Sequence, residues 1–108
     1  LSANAHLHRD GSWSLSGLLR PDEVEDLTGV ELPENEDYDT IAGLVLRVLG
    51  RVPDVGDLAE VPVPDRSDPD EPRERLAVLT VERMDGLRID RLRLRVPEPD
   101  PDAAGEGR

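Results

Sequence analysis

From Ser12 to Gly17 the chain alternates strictly, with Ser12, Ser14 and Ser16 set against Trp13, Leu15 and Gly17. A period of two predicts a strand beginning just after Asp10-Gly11, with one apolar face and one solvated face. The period then changes. Pro21 stands where a first helical position belongs, Asp22 and Glu23 suit a positive helix end, and Gly29 supplies a stop. Val24 and Leu27 are the apolar face of this short helix.

The strongest pattern lies further on. Ile41, Leu44, Val45, Val48 and Leu49 fall at i, i+3, i+4, i+7 and i+8, one continuous stripe of an amphipathic helix. Asp39 or Thr40 is its N-cap and Gly50 its C-terminal stop. Arg47 and Arg51 sit near the negative end of the dipole, and Pro53 lies beyond. Gly43 is a poor helix former in mid-helix and predicts close approach of a neighbour. Five such side chains contribute roughly 1.5–3 kcal/mol each when buried, so this helix is expected to wall the core.

The second half of the chain returns to strands. Leu58 to Val63 reads as a short strand that Pro62 confines to an edge or an end. Pro64 to Glu74 crowds Pro and Asp together without an apolar residue and reads as a mobile, solvated loop. Leu76 to Met84 and Ile89 to Val96 are partner strands around Asp85-Gly86, the signal for a type I′ hairpin. In the last strand Leu92, Leu94 and Val96 face one way and Arg91, Arg93 and Arg95 the other. The order is strand, helix, helix, strand, strand, strand. No βαβ alternation is present, so the class is α+β: a small, mostly antiparallel sheet packed against two helices.

Composition narrows the reading. The 108 residues hold one Trp, one Tyr and no Phe, so the core must be aliphatic. A formal net charge of −12 opposes contact with nucleic acid or anionic lipid. With no cysteine, thiol nucleophiles, thiolate metal sites and disulfides are excluded. Apolar runs are far too short to span a bilayer, so direct membrane insertion is not expected. Residues 1–9 show no clear period and read as a linker or a leftover of cloning. Residues 10–97 form the domain, and residues 98–108 a loose acidic tail. Leu1 in place of an initiator Met marks the chain as a piece of a longer protein.

Candidate chemistry is sparse. Glu34, Glu36, Asp37 and Asp39 could offer carboxylate oxygens to a hard divalent cation, but they lack the spacing and central Gly of an EF-hand loop. A solvated approach to the long helix is the simpler reading. Asp65, Asp68, Asp70 and Glu71 lie in a loop that would lose entropy on ordering around an ion. His6 and His8 could share one side of an extended segment, yet no third ligand accompanies them. Ser12, Ser14 and Ser16 sit apart from any nucleophile elbow, P-loop or dinucleotide fingerprint. Arg91, Arg93 and Arg95 are the one local basic row; an acidic partner or a phosphate could use it, but pairing with Glu and Asp of adjacent strands accounts for it. No catalytic, cofactor-binding or metal residue is assigned.

Several of these pieces together resemble a known family. Asp10-Gly11 before the first strand, Asp37-Tyr38-Asp39-Thr40 with Gly43, and Gly50-Arg51-Val52-Pro53 with Gly56-Asp57 carry the likeness. "MDG" and "RIDR" around the final hairpin complete it. Over Asp10 to Val96 the chain is similar to the CorC/HlyC-type transporter-associated domain. The resemblance implies an α+β fold related to one part of FAD-binding domains, placed after a transmembrane region and a pair of CBS modules. The proteins concerned are magnesium and cobalt efflux or hemolysin-like membrane proteins, and a similar domain ends some sodium/proton and potassium/proton antiporters. The resemblance supplies no established catalytic residue. Two departures from the pattern, the lengthened stretch Pro64 to Glu74 and Leu79 where an aromatic is expected, argue against a flavin-like or nucleotide-like pocket.

The expected function is that of a non-catalytic accessory domain on the cytoplasmic side of the cell membrane, tuning transport by an ion transporter. Its partners would be the transmembrane region and CBS modules of the parent protein, with a homo-oligomer possible and no cofactor. The alternative is a sensor that binds a nucleotide or a divalent cation.

Overall fold

A computed structural model describes residues 4–98. The elements run β1 (Ala5–Leu7), β2 (Trp13–Ser16), α1 (Pro21–Thr28), α2 (Ile41–Leu49), β3 (Leu58–Asp65), β4 (Arg73–Asp85) and β5 (Arg88–Arg95). One five-stranded sheet, ordered β1-β2-β5-β4-β3, is antiparallel at every pairing. The fold class is the α+β architecture expected from the pattern, with one strand more.

That strand corrects the reading of residues 1–9 as linker. Ala5, His6 and Leu7 pair with Leu15, Ser14 and Trp13, extending the sheet past β2. Three residues are too few to show a period, so only the partner strand reveals them. The tail from residue 99 onward lies outside the described residues.

Cross-strand rows explain the core. Val81, Leu92, Leu15 and Ala5 align across four strands, and Leu79, Leu94, Trp13 and Leu7 form the next row. Ala59, Val61 and Val63 of β3 continue the same face, and all three are buried. Against it lie Val24 of α1 and Ile41, Leu44 and Val45 of α2. The apolar stripe predicted for α2 is only partly used, because Val48 remains 47% exposed and Leu49 is half-buried. The sheet covers the first two turns of the helix and not the last. In α1, Leu27 is likewise exposed while Val24 is fully buried.

The helix ends follow the capping residues. The Glu23 carboxylate accepts from the Arg20 backbone N–H at 2.9 Å, with Pro21 in the first turn and Gly29 left-handed at the close. Thr40 caps α2, its Oγ1 accepting from the Gly43 N–H at 3.2 Å. The two preceding helical N–H groups, on Ile41 and Ala42, donate to the carbonyls of Leu19 and Gly17 at 2.8 and 3.0 Å. Backbone leaving β2 thus satisfies donors that a helix start leaves orphaned. Gly43 is a close-approach position, as expected: a Cβ there would stand 2.7 Å from the Cβ of Tyr38.

Strands β3 and β4 are longer than predicted, while β5 keeps its predicted length one residue earlier in the chain. Pro64 pairs with Glu74 and Asp65 with Arg73, so the Pro/Asp-rich loop shrinks to residues 66–72. Pro62 does lie on an edge strand, the place in a sheet where proline is tolerated. The β4–β5 turn consists of Gly86-Leu87, closed by the pair Asp85 and Arg88. Gly86 has φ +63° and Leu87 is not left-handed, a type II′ pattern in φ and not the expected type I′. Register shifts flank Arg83, so a bulge bends the hairpin between Val81 and Met84.

Candidate functional site

The face of the sheet away from the helices gathers the histidines, serines and arginines singled out in the sequence, and none of the acidic clusters. Thr80, Arg93, Ser14 and His6 form one row across it. Here the expectation of a wet serine face fails, because Ser12 and Ser14 are both buried. Long side chains cover them. His8 Nε2 lies 2.7 Å from Ser14 Oγ, and Arg93 Nη1 donates to Ser12 Oγ at 3.2 Å. Arg93 also donates through Nε to Glu82 at 2.8 Å, a half-buried ion pair between adjacent strands. The basic row is therefore engaged locally at Arg93, as cross-strand pairing predicts.

His8, placed in the sequence reading among loose residues, is held by this contact and by its backbone N–H bond to Ser12 O at 2.8 Å. Asp10, the nearby carboxylate, accepts from the Ser12 hydroxyl at 2.6 Å and its N–H at 2.9 Å. Those two bonds, the side-chain one first, hold the Asp10 carboxyl below its usual range. The His6 and His8 rings meet edge to face at a centroid distance of 4.7 Å.

The acidic approach to α2 is dispersed. Asp37, in the turn before α2, pairs with Arg47 of its last turn, and its backbone N–H is taken up by Asn35 Oδ1 at 2.9 Å. Glu34, Glu36 and Asp39 are exposed. Among the described residues no three His, Asp or Glu side chains converge as a metal-binding group. Tyr38 donates its hydroxyl to the Pro33 carbonyl at 2.7 Å, and burial pushes its phenol up. In the 66–72 loop, Asp65 is held low by the Ser67 hydroxyl and backbone N–H. Arg66 reaches back to Glu31 at 2.8 Å. Asp57, after α2, is held low by the Asp54 N–H at 2.8 Å and then by Arg51 at 2.9 Å.

The sequence pattern does not reveal the groove of about 330 Å³ beside the N-terminal half of α2. Ala42, Gly43, Leu46 and Ile89 line it, with Leu18 and Leu87 at its sides and Thr40, Asp85, Arg88 and Asp90 contributing the polar groups. Leu18 and Leu87, at 68% and 75%, are the most exposed large hydrophobic residues described. The signal was present in the sequence as two leucines in turns, where nothing local requires them. No helix among the described residues is long and apolar enough to cross a membrane.

Residues 7–98 match the CorC_HlyC family model, described as a transporter associated domain. A UPF0053 protein of Mycobacterium tuberculosis is 48% identical over 83 residues, covering 76% of this chain and 18% of the relative. A UPF0053 protein of Synechocystis is 35% identical over 86 residues, covering 77% and 16% respectively. This chain therefore spans less than a fifth of the length of either relative. The CorC_HlyC domain from Corynebacterium glutamicum superposes with a TM-score of 0.74 at 28% identity, covering 87% of this chain and 99% of that one. The CorC_HlyC domain of a Xylella fastidiosa hemolysin, solved in complex with magnesium and manganese, gives a TM-score of 0.64 at 26% identity, covering 89% of this chain and 100% of that one.

Proposed function

The chain belongs to the CorC_HlyC transporter-associated domain family, and we propose that it is a non-catalytic, cytosolic accessory domain that modulates an ion transporter. The observation that carries this reading is the family match over 7–98, joined to 48% identity with a relative more than five times as long as the matched stretch. A unit of this size acts within a larger chain. Residues 10–97, extended back to β1, are its folded unit. Its partners are the transmembrane region and CBS modules of the parent protein.

The physical route is a bias on conformation. A domain outside the bilayer shifts a transporter's equilibrium only as far as it contacts one state better than another. The expected currency is about 1–3 kcal/mol of coupling, a 5- to 150-fold change in an effector's apparent affinity. Packed side chains on the described surface suit contact more than turnover: Ser14 spends its hydroxyl on His8, and Arg93 spends its guanidinium on Glu82 and Ser12.

The test is ion flux in vesicles holding equal amounts of the parent protein with and without residues 4–98. Flux should persist after deletion while its rate or its response to cytosolic conditions changes. Complete loss of flux from a folded, inserted protein would make the domain essential to transport. Identical flux and regulation would remove the role altogether.

The magnesium and manganese complex of the Xylella relative favours a second reading, a cation sensor. Glu36, Asp37 and Asp39 are then the residues to test, since they are the carboxylates closest in sequence to the start of α2. Calorimetry with magnesium or manganese chloride separates the readings. Saturable micromolar binding lost in Asp37→Asn supports the sensor, and binding no tighter than millimolar supports the accessory role alone.

A further inference from the structure

We propose that the groove beside α2 is a self-complementary interface, filled by Leu87 of a second copy of this chain. It goes beyond the accessory role, which needs no self-association. Four observations converge on it. First, the two most exposed large hydrophobics, Leu18 and Leu87, flank the same groove, although nine such residues are scattered over the described surface. Exposed leucines placed singly need no explanation; two bracketing a concavity do.

Second, Leu87 sits at the apex of a hairpin. Its turn, Gly86-Leu87, projects beyond the pair Asp85 and Arg88 that closes the ladder. The side chain is therefore a knob and the surface between Leu18 and Leu46 a hole, on one face of one molecule. A twofold axis between two copies lets each knob enter the other's hole, the isologous arrangement commonest among homo-oligomers.

Third, the rim carries opposite charges. Asp85 and Arg88 face each other across the hairpin, and neither forms an ion pair with another described residue. The neighbouring Asp90, by contrast, is engaged by Arg83. Under twofold symmetry Arg88 of one copy comes to Asp85 of the other, twice. An apolar centre with a charged rim is the usual anatomy of a protein interface.

Fourth, the remaining charge selects this face. A chain of net charge −12 repels its own copy over most orientations. The groove rim is one place where each copy offers an uncommitted cation beside an uncommitted anion. Salt screens the net repulsion and the exposed rim pairs alike, so the rim's selectivity is read at low salt and the apolar contact persists at high salt.

Sedimentation of the 108-residue chain over a concentration series, at low and high salt, tests the proposal. Dimers are expected, and Leu87→Glu should weaken them at least tenfold at either salt concentration while its melting temperature stays that of the parent chain. Charge exchange gives the sharper answer. Asp85→Arg alone and Arg88→Asp alone should each dimerise at least tenfold more weakly, and an equimolar mixture should recover association, because every rim contact in the mixed dimer is again opposite in sign. A general charge effect predicts otherwise: Asp85→Arg brings the chain nearer neutrality and would dimerise better. Since the chain has no cysteine, Leu87→Cys mixed with Leu46→Cys should give a disulfide between copies under oxidation. A chain that is monomeric at every concentration overturns the proposal, whether the groove then takes a small ligand or another part of the parent protein. So do dimers indifferent to Leu87→Glu, which would place the contact elsewhere. Transport assays on the deletion are unaffected by either result, so the accessory role stands or falls separately.

Discussion

The carbonyl oxygen of Ile89 stands 2.4 Å from the point a Cβ would occupy on Gly17. The same glycine donates its N–H to the Asp90 carbonyl at 2.9 Å and accepts from the Ala42 N–H at 3.0 Å. Gly17 is therefore where three elements meet: the end of β2, the start of α2 and the β5 backbone. In the alternation of the first strand it passes for one more apolar position. The structure gives it a different role, as the gap through which α2 docks.

Gly17→Ala should destabilise the domain by roughly 1–3 kcal/mol, the usual range when an added methyl group forces backbone to move. The obstructing atom is a backbone oxygen and not the tip of a flexible side chain. Urea denaturation with an unchanged m-value reads the difference. A midpoint equal to that of the parent chain would show that β5 yields freely at this point.

The contrast with Gly86 is instructive, because there nothing lies within 4 Å of a built Cβ and only φ, at +63°, resists substitution. Gly86→Val should cost about 1 kcal/mol or more, since β-branching opposes left-handed backbone. The loss should appear in the denaturation midpoint with the fold retained. No change would show that the turn relaxes to another type at little cost.

These two glycines show what the sequence could and could not disclose. Gly86 announced itself because turn chemistry is local: a glycine between two β-rich runs predicts the hairpin. Gly17 did not, because its constraint comes from Ile89, far along the chain. The same division holds elsewhere. The α2 stripe and its Gly50 stop were legible and its N-cap was narrowed to Asp39 or Thr40, while the exposure of Val48 depends on where the sheet ends. Ser12 and Ser14 alternate like solvated residues and are buried by His8 and Arg93, which only the β1–β2–β5 pairing brings over them. Strands β3 and β4 run on into Pro64, Asp65, Arg73 and Glu74 because pairing at the far end of a long hairpin outweighs low β-propensity. The groove was hidden for a like reason, since Leu18 and Leu87 are 69 residues apart in sequence.

The paired ladder up to Asp65 and Arg73 also sets where a protease can act. Limited trypsin digestion should cut first after Arg66, whose side chain is 74% exposed at the edge of the 66–72 loop. Arg47, Arg83, Arg91, Arg93 and Arg95 lie within α2 or the central strands and need local opening to reach an active site. Mass spectrometry of early fragments decides the order. Cleavage at Arg83 or Arg93 as early as at Arg66 would contradict the sheet as drawn.

Acid should weaken the connection between α2 and β3 in a way that can be assigned to one carboxylate. Asp57 accepts from the Asp54 N–H, its larger influence, and from Arg51, and both hold its folded-state pKa below the ordinary 3.8. A carboxyl depressed in the folded state contributes stability above its unfolded pKa and loses it as pH falls through the folded value. Asp57→Asn should therefore be less stable than the parent chain at pH 7, and the gap should close below about pH 4. Arg51→Met removes only the second influence, so it should retain much of the pH dependence that Asp57→Asn abolishes. Melting temperatures of the three proteins from pH 7 down to pH 2 make the comparison, with the other carboxylates common to all. A gap that persists at the acid end would mean that Asn fails at position 57 for reasons of shape, and equal curves for Arg51→Met and Asp57→Asn would make the arginine, and not the Asp54 amide, the partner that matters.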